Sequence, residues 1–163
     1  MTKADLWRSY GLERPSSPRY KSNERKSILW WLTSVFVRIR DFRLYGRCIS
    51  CGKELHWASG QAGHYAPAGN CGIGLLFDPL NIALECPRCN GTDEGHLIGY
   101  RRELVARRGL QSVLELEERY QYHQRHPGEQ KEWTQGMYHD KIVALIACMT
   151  EENMLPLDAE RES

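Results

Sequence analysis

The stretch CISCGKELHWASGQAGHYAPAGNCGIGLLFDPLNIALECPRCN, residues 48–90, decides how this chain is read. It opens on Cys48-Ile-Ser-Cys51 and closes on Cys86-Pro-Arg-Cys89, two C-x2-C knuckles set beside Gly52 and Asn90. Two sulfurs on each of two tight turns match the need of a tetrahedral zinc ion held by four thiolates. Thiols in a chain without an export signal stay reduced, and no thioredoxin-like βαβ pattern surrounds either knuckle. Structural zinc on Cys48, Cys51, Cys86 and Cys89 is therefore the expected cofactor. Cys71 and Cys148 stand alone. Cys148 lies in the apolar run IVALIACM and reads as a core thiol; Cys71 lies in a Gly-rich loop.

The knuckles are 34 residues apart, more than a plain zinc ribbon needs. Residues 46–89 read as short strands and loops. A hairpin is expected from Leu55-His56-Trp57 and Ala62–Ala66 around Ala58-Ser59-Gly60, with a loop at Pro67–Gly74 and a strand at Leu80–Leu84 entering the second knuckle. Outside this region the pattern is helical. Residues 27–45 carry apolar side chains at 28, 29, 31, 32, 35, 36, 39 and 42, with Arg38, Arg40 and Arg43 near the end. A helix is expected by His96 and runs to Arg108, where Gly109 stops it. Further helices are expected over Gln111–Tyr122 and Thr134–Thr150. Residues 1–26 read as a basic, mostly irregular arm with a short helix near Ala4–Tyr10, and residues 151–163 as a frayed acidic tail. That leaves 27–150 as the folded domain.

Of the 163 residues, 41% are hydrophobic and 26% charged, a globular balance that excludes a disordered chain. No uninterrupted apolar run approaches the 18 or so residues of a membrane span, and the polar N-terminus reads against a secretory signal. A cytoplasmic protein with no membrane partner is expected. The net charge of +1 hides an asymmetry: residues 1–50 carry +7, and residues 51–100 and 101–163 carry −3 each. A basic front suggests a polyanionic partner.

The residues between the knuckles suit hydrolytic chemistry. A neutral imidazole at His64 can take a proton from water. The amide of Asn81 can hold the His64 loop through side-chain to backbone hydrogen bonds. Asn90 offers a carbonyl oxygen to a divalent cation at the start of a helix.

Taken in order, Cys48-x2-Cys51, Gly63-His64-Tyr65, Phe77-x3-Asn81, Cys86-x2-Cys89-Asn90, Gly95-His96, Tyr100-Arg101-x-Glu103-Leu104, Gly109 and Trp133-Thr134 resemble the NinG/Rap family of lambdoid phage recombination proteins. The resemblance covers roughly residues 27–150. More remotely the stretch is similar to the HNH, or His-Me finger, nucleases. The implied fold is α+β, a small zinc-pinned ββα-metal core with flanking α-helices. The implied activity is a metal-dependent, structure-specific DNA endonuclease acting on branched recombination intermediates such as Holliday junctions and D-loops, in the host cytoplasm. The implied roles are His64 as general base and Asn81 as the middle residue, with Asn90 as a ligand of catalytic magnesium or manganese. His96 is a further candidate ligand, and Glu94 shares the face of Asn90. Gly63 stands where HNH enzymes often carry Asp or His, so the cation's acidic ligand is unassigned. Arg38, Arg40, Arg43, Arg47, Arg101, Arg102, Arg107 and Arg108 are the expected contacts to the DNA backbone. Paired cuts in a junction favour a homodimer. Two other readings are a non-catalytic zinc-finger DNA-binding module and a phage protein that binds a host protein through the aromatic helix at 27–45.

Overall fold

The computed structural model describes residues 1–91, 96–129, 132–155 and 157. Among the described residues, seven α-helices and two strands follow one another as α1 (Lys3–Ser9), α2 (Glu24–Leu44), β1 (Gln61–His64), α3 (Gly72–Leu76), β2 (Ile82–Glu85), α4 (Pro87–Gly91), α5 (His96–Arg108), α6 (Leu110–Arg125) and α7 (Gln135–Glu151). The architecture is mixed and mostly helical, with one small antiparallel sheet.

The chain divides into two compact units, Met1–Phe36 with Trp133–Leu157, and Val37–Glu132. These bounds differ from divisions at residues 26 and 150. In the first unit, Thr2 caps α1 through a reciprocal pair with Asp5. Trp7 is fully buried against the edge of Trp31, and its indole N–H donates to Glu24 at 2.9 Å. Glu24 also accepts from Arg14 at 3.0 and 3.1 Å and meets Lys3 at 3.3 Å. Residues 1–26 are thus a packed part of this unit, because Trp7 and Leu12 have apolar surface to bury. Helix α7 starts at Thr134, whose hydroxyl accepts from Met137 N–H, and it buries Tyr138, Ile142 and Met149. Met154, beyond its end, is also buried, so the chain is packed past residue 151. Cys148 is exposed, because the helix turns Met149 inward at that level instead. Residues 158–163 of the expected tail lie outside the described residues.

In the second unit the hairpin differs from expectation. Residues Trp57–Ser59 form a 3-10 turn, and β1 pairs with β2, Gln61 opposite Glu85 and His64 opposite Ile82. The physical reason is β2 itself, four buried residues that need a partner strand on one edge. The other edge of β2 has no strand among the described residues. It is closed by Arg40, which donates to Ile82 O and Pro79 O at 2.9 Å, by Asp41, which accepts Leu84 N–H at 2.9 Å, and by Ile49 N–H on Leu84 O at 3.0 Å. Such closure removes a sticky strand edge. The expected loop at 67–74 instead ends in the short helix α3. Gly109 has φ +86°, and this left-handed residue separates α5 from α6.

Candidate functional site

The two knuckles are brought together by backbone. Ile49 N–H on Leu84 O ties the first knuckle to the strand that leads into the second. Cys48 N–H bonds Lys53 O, and Gly52, at φ +75°, closes the turn with its N–H on Cys48 O. The four sulfurs lie within 4.8 Å of one another, with Cys51 and Cys86 at 3.9 Å. A tetrahedron of about 2.3 Å Zn–S bonds has S···S edges of about 3.8 Å, so the donor set fits one zinc ion. Cys86 N–H points at Cys48 Sγ at 3.3 Å, a donor suited to a thiolate. Burial pushes the Cys48 and Cys89 thiols up, so a cation is what would hold them deprotonated together. Leu55, Leu84 and Phe42 shield the cluster, and Cys51 is its exposed corner. Helix α5 presses close: a Cβ on Gly99 would collide with Ser50 O.

His64 sits half-buried at the end of β1. Its Nε2 lies 2.9 Å from Leu76 O. A carbonyl only accepts, so Nε2 is the donor here, and in the neutral ring the lone pair is then on Nδ1. Asn81 is fully buried. Its Oδ1 accepts Ala66 N–H at 2.8 Å, and its Nδ2 donates to Leu75 O at 3.0 Å and Ala66 O at 3.2 Å. Asn81 O also accepts Tyr65 N–H at 2.9 Å. One amide therefore locks together the segment after His64 and the helix end that receives the imidazole.

Asn90 is exposed on α4 and donates from Nδ2 to Gln61 Oε1 at 2.8 Å. His96 does not stand apart as a ligand: its Nδ1 lies 2.7 Å from Glu85 Oε2. Glu94 lies outside the described residues. Asp78 caps the turn at Pro79–Asn81 by accepting Leu80 N–H, and it pairs with Arg119 at 2.6 Å.

The eight arginines separate into two groups. Arg38 is buried enough that its pKa is pushed down, donates to Trp57 O and stacks on that ring. Arg40 is the strut to β2. Arg107 lies over Tyr45 at 3.7 Å and pairs with Glu103 at 3.0 Å. Burial likewise pushes Arg108 down. Arg38, Arg40 and Arg107 hold the unit together, and Arg108 is half-buried within it. Arg43 and Arg102 are exposed, as is Arg47, which pairs with Glu103 at 2.5 Å. Half-buried Arg101 pairs with Glu117 at 2.6 Å.

Sequence reasoning missed Asp41, Ser50 and Glu85, and gave Tyr100 a place in the family pattern but no role. Tyr100 is fully buried and donates to Gly63 O at 2.7 Å, pinning α5 to β1. Glu85 had a visible signal, a lone carboxylate ending the apolar strand Ile82-Ala83-Leu84. Tyr65, Pro67, Ile98, Arg101 and Tyr120 line a cleft of about 450 Å³ beside the His64 segment.

Fold and site define a small mixed α/β protein organised on a four-cysteine centre able to hold zinc. The family described as Bacteriophage Lambda NinG protein matches residues 23–146, and the chain belongs to it. It is 40% identical over 90 residues to protein ninG of Escherichia phage 933W, covering 55% of this chain and 43% of that protein. To protein ninG of Escherichia phage lambda and of Salmonella phage P22 it is 39% identical over 90 residues, covering 42% of each. The matched segment thus spans less than half of these relatives' length. No solved structure gives a significant match. Among the described residues no helix is long and apolar enough to cross a membrane.

Proposed function

We propose that this protein is a metal-dependent, HNH-like DNA endonuclease acting on branched recombination intermediates. The observation that supports the reading is the Nε2···O approach of His64 to Leu76 at 2.9 Å, an arrangement in which a neutral imidazole keeps its lone pair on Nδ1. His64 would take the proton of the attacking water there, a role commonly worth a hundredfold to ten-thousandfold in rate, or about 3–5 kcal/mol. Asn81 would hold the imidazole in that tautomer through its bonds to Ala66 and Leu75. Magnesium or manganese, when bound, would stabilise the charge that grows on the phosphate and the leaving oxygen. Asn90 and Glu85 offer hard oxygen donors to such a cation, with His96 orienting Glu85. The four thiolates would be structural. Exposed Arg43, Arg47 and Arg102 would contact phosphates, and the aromatic cleft at Tyr65 and Tyr120 suits an unstacked base. A homodimer would supply the second cut of a junction.

The test is cleavage of a labelled four-way junction, with duplex and single-strand controls, with and without magnesium or manganese. Cleavage should require the metal and be lost in His64→Ala while zinc content and DNA affinity persist. A His64→Ala protein that cuts as fast as the parent would overturn the assignment. Salt-sensitive DNA binding without cleavage by either protein would favour a zinc-pinned binding module instead.

A further inference from the structure

We infer that Glu85 is the anionic ligand of a second, oxygen-lined cation site, distinct from the four-cysteine centre and completed by the side-chain oxygen of Asn90. Glu85 ends β2 and is fully buried. Its Oε2 accepts from Ser50 Oγ and from His96 Nδ1. Its Oε1 is buried with no hydrogen-bond partner among the described residues. A carboxylate oxygen held away from water without a donor is costly, and proteins compensate such a group with a donor or a cation.

The surroundings show which. Gln61 faces Glu85 across the strand pair, and Gly63 lies on the same side of β1, two residues on. A Cβ on Gly63 would collide with Glu85 Oε1 and stand 3.1 Å from Asn90 Oδ1. The missing side chain thus leaves a gap that two oxygens, from β2 and from α4, enter together. The bond from Asn90 Nδ2 to Gln61 Oε1 turns the amide so that Oδ1 faces this gap. Neither oxygen is a donor, so they do not bond each other, whereas a small divalent cation satisfies both. One carboxylate and one amide oxygen, with water and phosphate in the remaining positions, is the ligand pattern magnesium accepts and manganese shares. His96 and Ser50 then hold Oε2 and aim Oε1. Soft thiolates at Cys86 and hard oxygens at Glu85 would sort zinc and magnesium between adjacent residues.

The site rests on the nuclease reading for the use of the cation, while its existence rests on Glu85. The test is a titration of zinc-loaded protein with manganese, with free manganese read by electron paramagnetic resonance and zinc by elemental analysis. The parent should bind one manganese per chain without losing zinc. Glu85→Gln, which keeps the shape and removes the charge, should weaken binding about tenfold or more. Asn90→Asp, at an exposed position where folding is not at stake, should tighten it severalfold. No manganese bound by the parent at millimolar concentration, or equal affinity in all three proteins, would overturn the inference. Glu85-dependent binding in a protein that cuts no DNA would uphold the site and sink the nuclease reading. Metal-dependent cleavage with binding indifferent to Glu85 would do the reverse.

Discussion

Replacing Asn81 by Ala removes one side chain and strands two backbone groups, while a third loses one of its donors. Ala66 N–H and Ala66 O both end on this amide, Leu75 O keeps Asp78 N–H at 3.4 Å, and Ala66 and Leu75 are 5% and 1% exposed. A net hydrogen bond is worth about 1 kcal/mol, and a buried group left unsatisfied costs about 1–3 kcal/mol. With water reaching part of the gap, the expected loss is about 3–5 kcal/mol, a large share of the roughly 5–15 kcal/mol that a domain has. Asn81→Asp separates the terms. It keeps the acceptor for Ala66 N–H but sets a carboxylate against two carbonyl oxygens, so its folded pKa must rise. A raised carboxyl pKa contributes stability below the unfolded value that is lost as pH rises, so Asn81→Asp should regain stability on acidification. Urea unfolding of zinc-saturated protein, followed by circular dichroism at pH 7 and pH 5, measures both. A loss under about 1 kcal/mol for Asn81→Ala, or an Asn81→Asp protein as stable as the parent at pH 7, would refute the clamp.

One zinc per chain is expected by elemental analysis, and Ser at Cys48, Cys86 or Cys89 should unfold the second unit, since metal binding is coupled to folding; a folded, zinc-free protein would contradict this. DNA affinity should fall steeply with salt, and Arg43→Ala or Arg102→Ala should each lower the salt slope by about one, Arg102→Ala without destabilising the chain. Arg40→Ala should instead destabilise it, because Ile82 O and Pro79 O lose their donor. Hydrogen bonds from Arg14, opposed by burial and joined by those from Trp7 and Lys3, hold Glu24 down to about 2 from an ordinary 4.5. A depressed carboxylate contributes stability above its unfolded pKa that fades as pH falls, so the parent should lose stability between about pH 5 and pH 2 and Glu24→Gln should show a flatter profile there, read by thermal melts.

Local pattern carried much of this protein. Two C-x2-C knuckles point to a four-sulfur centre whatever the rest of the chain does, because turn geometry and thiolate chemistry are set within four residues. The 3.6-residue periodicity after Ser27, and Gly109 as a break, likewise placed the long helices within a few residues. Pairing was another matter. Strand Gln61–His64 has Leu55–Trp57 near it in sequence, yet it pairs with Ile82–Glu85, a strand that is buried along its whole length and ties to the first knuckle through Ile49. Charge was equally illegible: Arg38, Arg40 and Arg107 look like a basic surface in sequence, and folding turns them into internal struts on Trp57, Ile82 and Tyr45. The same holds for Glu85 and Gly63, 22 residues apart in the chain. Only the register of two strands lets a carboxylate fill the space a glycine leaves, and no spacing rule along one chain can encode that.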